Sequence, residues 1–292
     1  MSICRPMSAN SQQPMQIKQW IDFAAKSLNA VGIKSSKLDS EIILAHTLKK
    51  NRTYLHAYDD EPLDPRSEEI ANARLELRLD RVPIAYIIGH KEFYGRQFNV
   101  TTATLIPRPE SETIIDVLKG LLPKNEVLFD ERPKLLVDIG TGSGNLGITA
   151  KLELPELDVT LLDISTQALK AAENNARLLR ADVQLIKSNL LANYPFRPDI
   201  IIANLPYIDP TWKRSQETRY EPESALFAAQ GGMFLINKLV VQSQAALPTE
   251  GILLLEADPR QHQEIIALAT RKDFLSLRTE GYCIVLRKKS GY

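Results

Sequence analysis

Asn204-Leu205-Pro206-Tyr207 directly follows the apolar run Asp199-Ile200-Ile201-Ile202-Ala203. That order sets a stiff polar and aromatic turn at the carboxyl end of a buried strand, where open sheets of this kind bind ligands. An amide-like NH2 nitrogen is a poor nucleophile because its lone pair is delocalised, so a catalyst must hold it in line with its electrophile. The Asn204 side-chain oxygen and the Leu205 backbone carbonyl can each accept one of its N–H groups, while Tyr207 packs on the flat face of the acceptor. Pro206 holds the turn and adds no competing N–H. A strong base is not needed, since the nitrogen sheds its proton readily once alkylation has begun. The chemistry that fits is methyl transfer from a sulfonium to a planar NH2 group, although alone the tetrapeptide also reads as an ordinary loop.

A second candidate lies earlier, in Asp138-Ile139-Gly140-Thr141-Gly142-Ser143-Gly144, where a strand gives way to a helix. Glycines there let a ligand lie against bare backbone, and the helix start offers free N–H groups. Gly142-x-Gly144-x-x-Gly147 also matches a dinucleotide fingerprint, so the glycines do not choose the cofactor. Asp163 closes the next apolar run, a position from which a carboxylate can take both ribose hydroxyls of an adenosine. It also reads as an acid at the start of the helix after Thr166. Asn189-Leu190, after the third run, can edge an adenine or form a simple turn.

These turns need a sheet to hold them. Short apolar runs at 135–139, 159–162, 183–186, 200–203 and 252–256 alternate with helical segments at 145–152, 166–180 and 232–246, which predicts a buried parallel sheet. The runs 274–277 and 282–286 are too close for a crossover helix and should pair antiparallel. Ahead of the sheet, Ile17, Trp20, Ile21, Ala24 and Leu28 recur at helical spacing up to Gly32. Ser36 is placed to cap a second helix with a stripe of Leu38, Ile42, Ala45 and Leu48. Pro65 to Asp80 predicts a third helix, striped by Ile70, Ala73 and Leu77, and Pro83 ends this part. Phe93, Tyr94, Phe98 and Val100 around Gly95 suggest a short hairpin or an extended connector. The expected organisation is a polar extension over 1–14, a helical domain over 15–83, a hairpin linker over 84–107 and a catalytic domain over 108–292.

Lys plus Arg and Asp plus Glu number 36 each, and 44% of residues are apolar. This is the balance of a globular protein without the basic field that stable nucleic-acid binding requires. Cys4 and Cys283 form no CxxC pair, and His46, His56, His90 and His262 lack ligand spacing, so no metal site is expected. With no membrane span or signal peptide in view, a cytoplasmic monomer is expected. Trp212, Lys213 and Arg214 read as a solvated loop.

Several stretches together resemble the protein-(glutamine-N5) methyltransferases of the PrmC/HemK type, which act on the glutamine of the Gly-Gly-Gln motif in peptide-chain release factors. They are Pro83-Ile84-Ala85-Tyr86 with Gly89 and Phe93, Ile106-Pro107-Arg108-Pro109-Glu110-Ser111-Glu112, Asp138 to Gly144, Asn204 to Tyr207, and Glu221-Pro222 with Ala225-Leu226. The resemblance runs from about residue 15 to the C-terminus. It implies a seven-stranded Rossmann-like class I methyltransferase domain, behind a small helical domain that docks release factor. It also implies S-adenosylmethionine held by Gly140, Thr141, Gly142, Ser143, Gly144, Asp163, Asn189, Leu190 and Asn204, with the glutamine on Asn204 to Tyr207 and with Arg108 and Glu110 at the entrance. The family usually has Asn-Pro-Pro-Tyr; Leu205 should keep the backbone acceptor but loosen the turn, since a proline's locked dihedral is lost. Asn-Leu-Pro-Tyr is also similar to the motif of ribosomal-RNA adenine dimethyltransferases. The leading helical domain, the zero net charge and Arg108-Pro109-Glu110 oppose that alternative, as they do a nucleic-acid adenine-N6 methyltransferase more generally.

Overall fold

The structure, a computed structural model, describes residues 14–122 and 132–290. The extension expected over 1–14 therefore lies outside the described residues, apart from Pro14. The chain divides into two compact units, Met1–Ile88 and Gly89–Tyr292.

Among the described residues the first unit is helical: α1 (Ile17–Ala30), α2 (Ser36–Leu48), α3 (Arg52–Ala57), α4 (Pro65–Leu79) and α5 (Ile84–Ile88). The α1 stripe is the expected one, with Ile17, Trp20, Ile21, Ala24 and Leu28 all buried. In α2 and α4 the buried face differs from the apolar stripe. Leu38, Ile70 and Leu77 are exposed, while Asp39, Ser40, Glu41, Ile43 and Leu44 of α2 and Ala71, Leu75 and Arg78 of α4 are buried. The reason is electrostatic. Asp39 Oδ2 and Arg78 Nε lie 2.7 Å apart inside the unit, and Glu41 accepts from Arg52 Nε at 2.8 Å, so paired charges occupy positions that a hydrophobic count assigns to solvent. Ser36 does not cap α2. Ser35 holds that position, and its hydroxyl donates to Asp39 instead. Asn51 and Asp64 do cap α3 and α4 through their side chains.

The second unit opens with the hairpin β1 (His90–Phe93) and β2 (Arg96–Asn99), followed by α6 (Glu112–Leu121). Phe93 and Phe98 are buried in this unit's core, and Asn99 exchanges two hydrogen bonds with Asn175, so the hairpin is integral to the unit. Next come β3 (Leu135–Ile139), α7 (Asn145–Glu153), β4 (Asp158–Asp163), α8 (Thr166–Leu179), β5 (Gln184–Lys187) and β6 (Ile200–Ala203). The chain continues through α9 (Glu223–Leu226), α10 (Phe234–Ala246), β7 (Ile252–Glu256), α11 (His262–Arg271), β8 (Phe274–Glu280) and β9 (Cys283–Lys288).

Among the described residues these strands form one seven-stranded sheet in the order β5-β4-β3-β6-β7-β9-β8, parallel except for β9, which runs antiparallel to both neighbours. The apolar runs are continuous because both sheet faces are covered. Leu136, Ile200, Ile202, Leu254 and Val285 enter one core with α7 and α8; Val137, Ile201, Leu253, Leu255 and Ile284 enter the other with α10 and α11. Parallel pairing brings the carboxyl ends of β3, β4 and β6 to a common rim, since β3 lies between the other two. No helix among the described residues is long and apolar enough to cross a membrane.

Candidate active site

The glycine turn is built around Asp138. This carboxylate, buried next to the last residue of β3, accepts from Thr141 Oγ1 at 2.6 Å and from the Gly147 N–H at 2.9 Å, both through Oδ2. One oxygen therefore ties the two ends of the loop together. Gly147 must be glycine for packing reasons: a β-carbon would lie 2.2 Å from Leu161 Cδ2 and 2.9 Å from Asp138 Cβ. Within the loop, Gly140, Gly142 and Gly144 all take positive φ, a conformation that costs other residues about 1–2 kcal/mol each. The N–H groups of Gly140 and Thr141 both donate to the Leu162 carbonyl of β4. Asp163 completes the link, Oδ2 accepting from Gly142 N–H at 3.0 Å and Oδ1 from Ser165 N–H at 2.8 Å. Burial pushes the Asp138 carboxyl up to about 6, the Thr141 and Gly147 bonds opposing it. Burial also raises the Asp163 carboxyl, against the Ser165 and Gly142 amides.

The second turn leaves the end of β6. Asn204 Nδ2 donates to Ser111 Oγ at 3.1 Å. Leu205 is buried, and its Cδ2 lies 3.0 Å from where a Gly140 β-carbon would sit. Tyr207 donates its hydroxyl to Glu256 Oε1 at 3.3 Å; burial and the Glu256 charge raise its phenol far above the usual range, so it stays protonated. The Tyr207 carbonyl accepts from Gln261 Nε2 at 2.9 Å, and the same nitrogen donates to the Gly231 carbonyl at 2.9 Å. Burial raises the Glu256 carboxyl, while Ser111, Tyr207 and Asn204 favour its charged form.

Both turns open on one cavity of about 420 Å³. Its wall includes Arg108, Gly140, Thr141, Gly142, Ser143, Asp163, Asn189, Leu190, Asn204, Leu205 and Pro206 from the sequence-based set. Leu190 takes a left-handed conformation there. Gly144, Glu110 and Tyr207 are not in the wall. Gly144 is the N-cap of α7. The 3-10 turn Pro109–Ser111 turns Ser111 inward, 1% exposed, and Glu110 outward to solvent. The Tyr207 hydroxyl bond to Glu256 braces the turn. Arg108 is paired: Nη2 lies 2.5 Å from Glu221 Oε1, and Glu221 Oε2 accepts from Ile106 N–H at 3.1 Å. Ser111, Glu221, Glu256 and Gln261 all support the site and were not in the sequence-based set. Only Ser111 and Glu221 fell within recognised motifs; Glu256 and Gln261 carry no local signal.

Two positive-φ glycines, Gly140 and Gly142, leave part of the cavity wall as bare backbone, and a carboxylate stands at the end of β4, which suits a nucleoside-bearing cofactor. With the sheet order and the reversed β9, these features define a class I methyltransferase dependent on S-adenosylmethionine. Residues 19–89 match the PrmC N-terminal domain and residues 116–229 the Methyltransferase small domain. The chain is 34% identical over 271 residues to the release factor glutamine methyltransferase of Deinococcus radiodurans, covering 92% of each chain. It is 37% identical to that of Koribacter versatilis, over 84% of this chain and 89% of the other. With that of Haemophilus influenzae it shares 31% identity, over 86% and 89%. The chain belongs to the release factor glutamine methyltransferase family.

Proposed function

We propose that this chain transfers the methyl group of S-adenosylmethionine to the side-chain amide nitrogen of the glutamine in the Gly-Gly-Gln motif of peptide-chain release factors. The observation that carries the reading is the meeting of Asn204 and Leu205 with the glycine turn and Asp163 in one cavity, in a chain of this family. Gly140 to Gly144, Asp163, Asn189, Leu190 and Asn204 hold the cofactor, which supplies an electrophilic methyl on a cationic sulfur. The Asn204 side-chain oxygen and the Leu205 carbonyl accept the two amide N–H groups and align the nitrogen's lone pair. Pro206 and Tyr207 keep these acceptors in place, the latter through Glu256 and Gln261. Arg108, held by Glu221, frames the cavity, and Glu110 can meet a protein substrate only outside it. The unit spanning 15–83 docks the release factor; exposed Phe23, Leu38, Ile70 and Leu77 supply apolar contact there. An adenine N6 amino group offers the same N–H geometry, but the family's relatives do not favour it.

The test is incubation with labelled S-adenosylmethionine and either release factor or structured RNA. Label should appear on the Gly-Gly-Gln glutamine; transfer to RNA alone would overturn the reading. Asn204→Ala should lose about 100-fold in turnover, as loss of one orienting hydrogen-bond group does, while the glycine turn and Asp163 retain most of the cofactor affinity.

A further inference from the structure

Asn189 and Leu190 reach the cavity on a short loop that follows β5. Leu190 has φ of 54° there, in the left-handed region, which a leucine occupies only where its surroundings impose it. Its side chain is buried with Leu191 in the core that contains Val137, Ile139 and Leu205, while Asn189 stands exposed at the cavity wall. The backbone is fixed on both sides of the strained residue. Before it, the Ser188 N–H donates to the Asp163 carbonyl at 3.0 Å, and Ser188 Oγ accepts from the Asn193 N–H at 3.0 Å. After it, the Leu191 N–H donates to Gln242 Oε1 at 3.1 Å, across 51 positions of sequence. Gln242 lies on α10 and outside the cavity wall, whereas Phe234 and Leu235, in the first turn of the same helix, belong to that wall. A backbone N–H can only donate, so the contact demands an acceptor, and the glutamine oxygen supplies it. Without that acceptor, relaxation of Leu190 to a right-handed conformation is no longer opposed by the loss of this hydrogen bond, and Asn189 turns with it.

We propose that Gln242 is a positioning residue for the cofactor: from α10 it holds Leu190 in its left-handed turn and so keeps Asn189 against the adenine edge of S-adenosylmethionine. This rests on the cofactor role given to Asn189 and Leu190 above.

The experiment measures the S-adenosylmethionine Kd by calorimetry, with kcat and the KM for release factor at saturating cofactor, for wild type, Gln242→Met, Gln242→Glu, Asn189→Ala and the variant combining Gln242→Met with Asn189→Ala. Methionine keeps the length of the side chain and removes the acceptor oxygen; glutamate keeps one. Gln242→Met should raise the Kd about fivefold to twentyfold, as loss of one hydrogen bond to a buried N–H does, with kcat and the release-factor KM within about twofold of wild type. Gln242→Glu should bind within about threefold of wild type, and the penalty of Asn189→Ala should shrink in the Gln242→Met background, because both act through one contact. A Gln242→Met Kd within about twofold of wild type, even with a lowered melting temperature, would overturn the proposal, as would a Gln242→Glu Kd as weak as that of Gln242→Met or penalties that multiply in the combined variant. Should Gln242→Met not fold, Gln242→Ala takes its place under the same criteria; if neither folds, Gln242 is a determinant of the fold and the proposal is overturned. Normal binding by Asn189→Ala would bring down the adenine-edge reading itself, whereas weakened binding by Asn189→Ala beside normal binding by Gln242→Met would sink this inference alone.

Discussion

Replacing Gly232 with alanine tests whether the turn bearing Asn204 must sit where the structure puts it. Gly232 has φ of 87°, and a β-carbon there would lie 1.9 Å from the Tyr207 carbonyl oxygen and 2.6 Å from Gln261 Nε2. Non-bonded carbon and oxygen approach to about 3.3 Å, so the Tyr207 carbonyl must retreat by more than about 1 Å. The left-handed backbone costs alanine about 1–2 kcal/mol, and breaking the Gln261 bond to Tyr207 about 1–3 kcal/mol more. A displacement of about 1 Å in an orienting group can lower turnover about 100-fold. Gly281→Ala is the control: its φ is 56°, and nothing lies within 4 Å of the added carbon, so it carries only the backbone cost. Thermal unfolding, cofactor calorimetry and labelled transfer to release factor should be run on both variants. Gly232→Ala should unfold several degrees below Gly281→Ala at about 2–4 °C per kcal/mol, bind S-adenosylmethionine nearly normally and turn over about 100-fold more slowly. Equal melting temperatures, together with turnover of Gly232→Ala within about threefold of wild type, would refute the packing argument and the positional demand together.

Gly147→Ala gains about 1 kcal/mol of helix propensity, but overpacking against Leu161 and Asp138 costs about 1–3 kcal/mol and disturbs the Asp138 bonds that close the cofactor loop. Melting temperature and cofactor affinity should both fall; an unchanged melting curve would contradict the close approach. The Asp138 carboxyl, raised to about 6 by burial, holds its proton more tightly folded than unfolded, so its contribution to stability declines as pH rises from about 4 to 6. Its ionised form lines the cavity and attracts a cationic cofactor, so the Kd should rise by up to about tenfold per pH unit below 6; a flat calorimetric profile from pH 7 to pH 5 would exclude this. In the helical unit, Asp39→Ala removes the carboxylate paired with buried Arg78 and should cost about 3 kcal/mol, whereas Leu38→Ala, at an exposed position, should stay within about 0.5 kcal/mol. Denaturant melts of the two variants decide whether charge or apolar pattern defines that face.

The central parallel strands were legible because each is a short, largely apolar run covered on both faces, as at Leu135–Ile139 and Ile200–Ala203. The closing antiparallel pair was legible because no crossover fits between 277 and 282. The faces of α2 and α4 were not: a hydrophobic count cannot register Asp39 and Arg78 as interior, because what makes them so is each other. Within the site, the turns that touch the cavity announced themselves by glycine, proline and asparagine at strand ends. The groups that hold those turns did not. Gln261 clamps Tyr207 from 54 positions away, and Glu256 meets Tyr207 only because the sheet brings β7 beside β6. Contacts set by topology leave no mark on local spacing. The inward Ser111 and outward Glu110 were likewise decided by a 3-10 turn of three residues, too short to show a period.

Leu205 is where magnitudes change a sequence-based conclusion. In place of the family's usual proline it was expected to loosen the turn, and on backbone entropy alone it does, by about 0.4–1 kcal/mol. The structure adds a term that spacing cannot show. The leucine side chain is 4% exposed, lies against Gly140 and joins the core formed by Val137, Ile139, Ile201 and Ala203. A leucine side chain buries one more carbon than a proline ring, about 0.8 kcal/mol, similar to the lost proline constraint. Packing therefore offsets the dihedral lock, and it does so in a particular direction, because the surface under Leu205 is the first glycine of the cofactor loop. A proline would stiffen the acceptor turn within itself; leucine fastens it to the neighbouring turn. The two halves of the cavity, braced from behind by separate groups, Asp138 for one and Glu256 with Gln261 for the other, are thereby joined at their common edge.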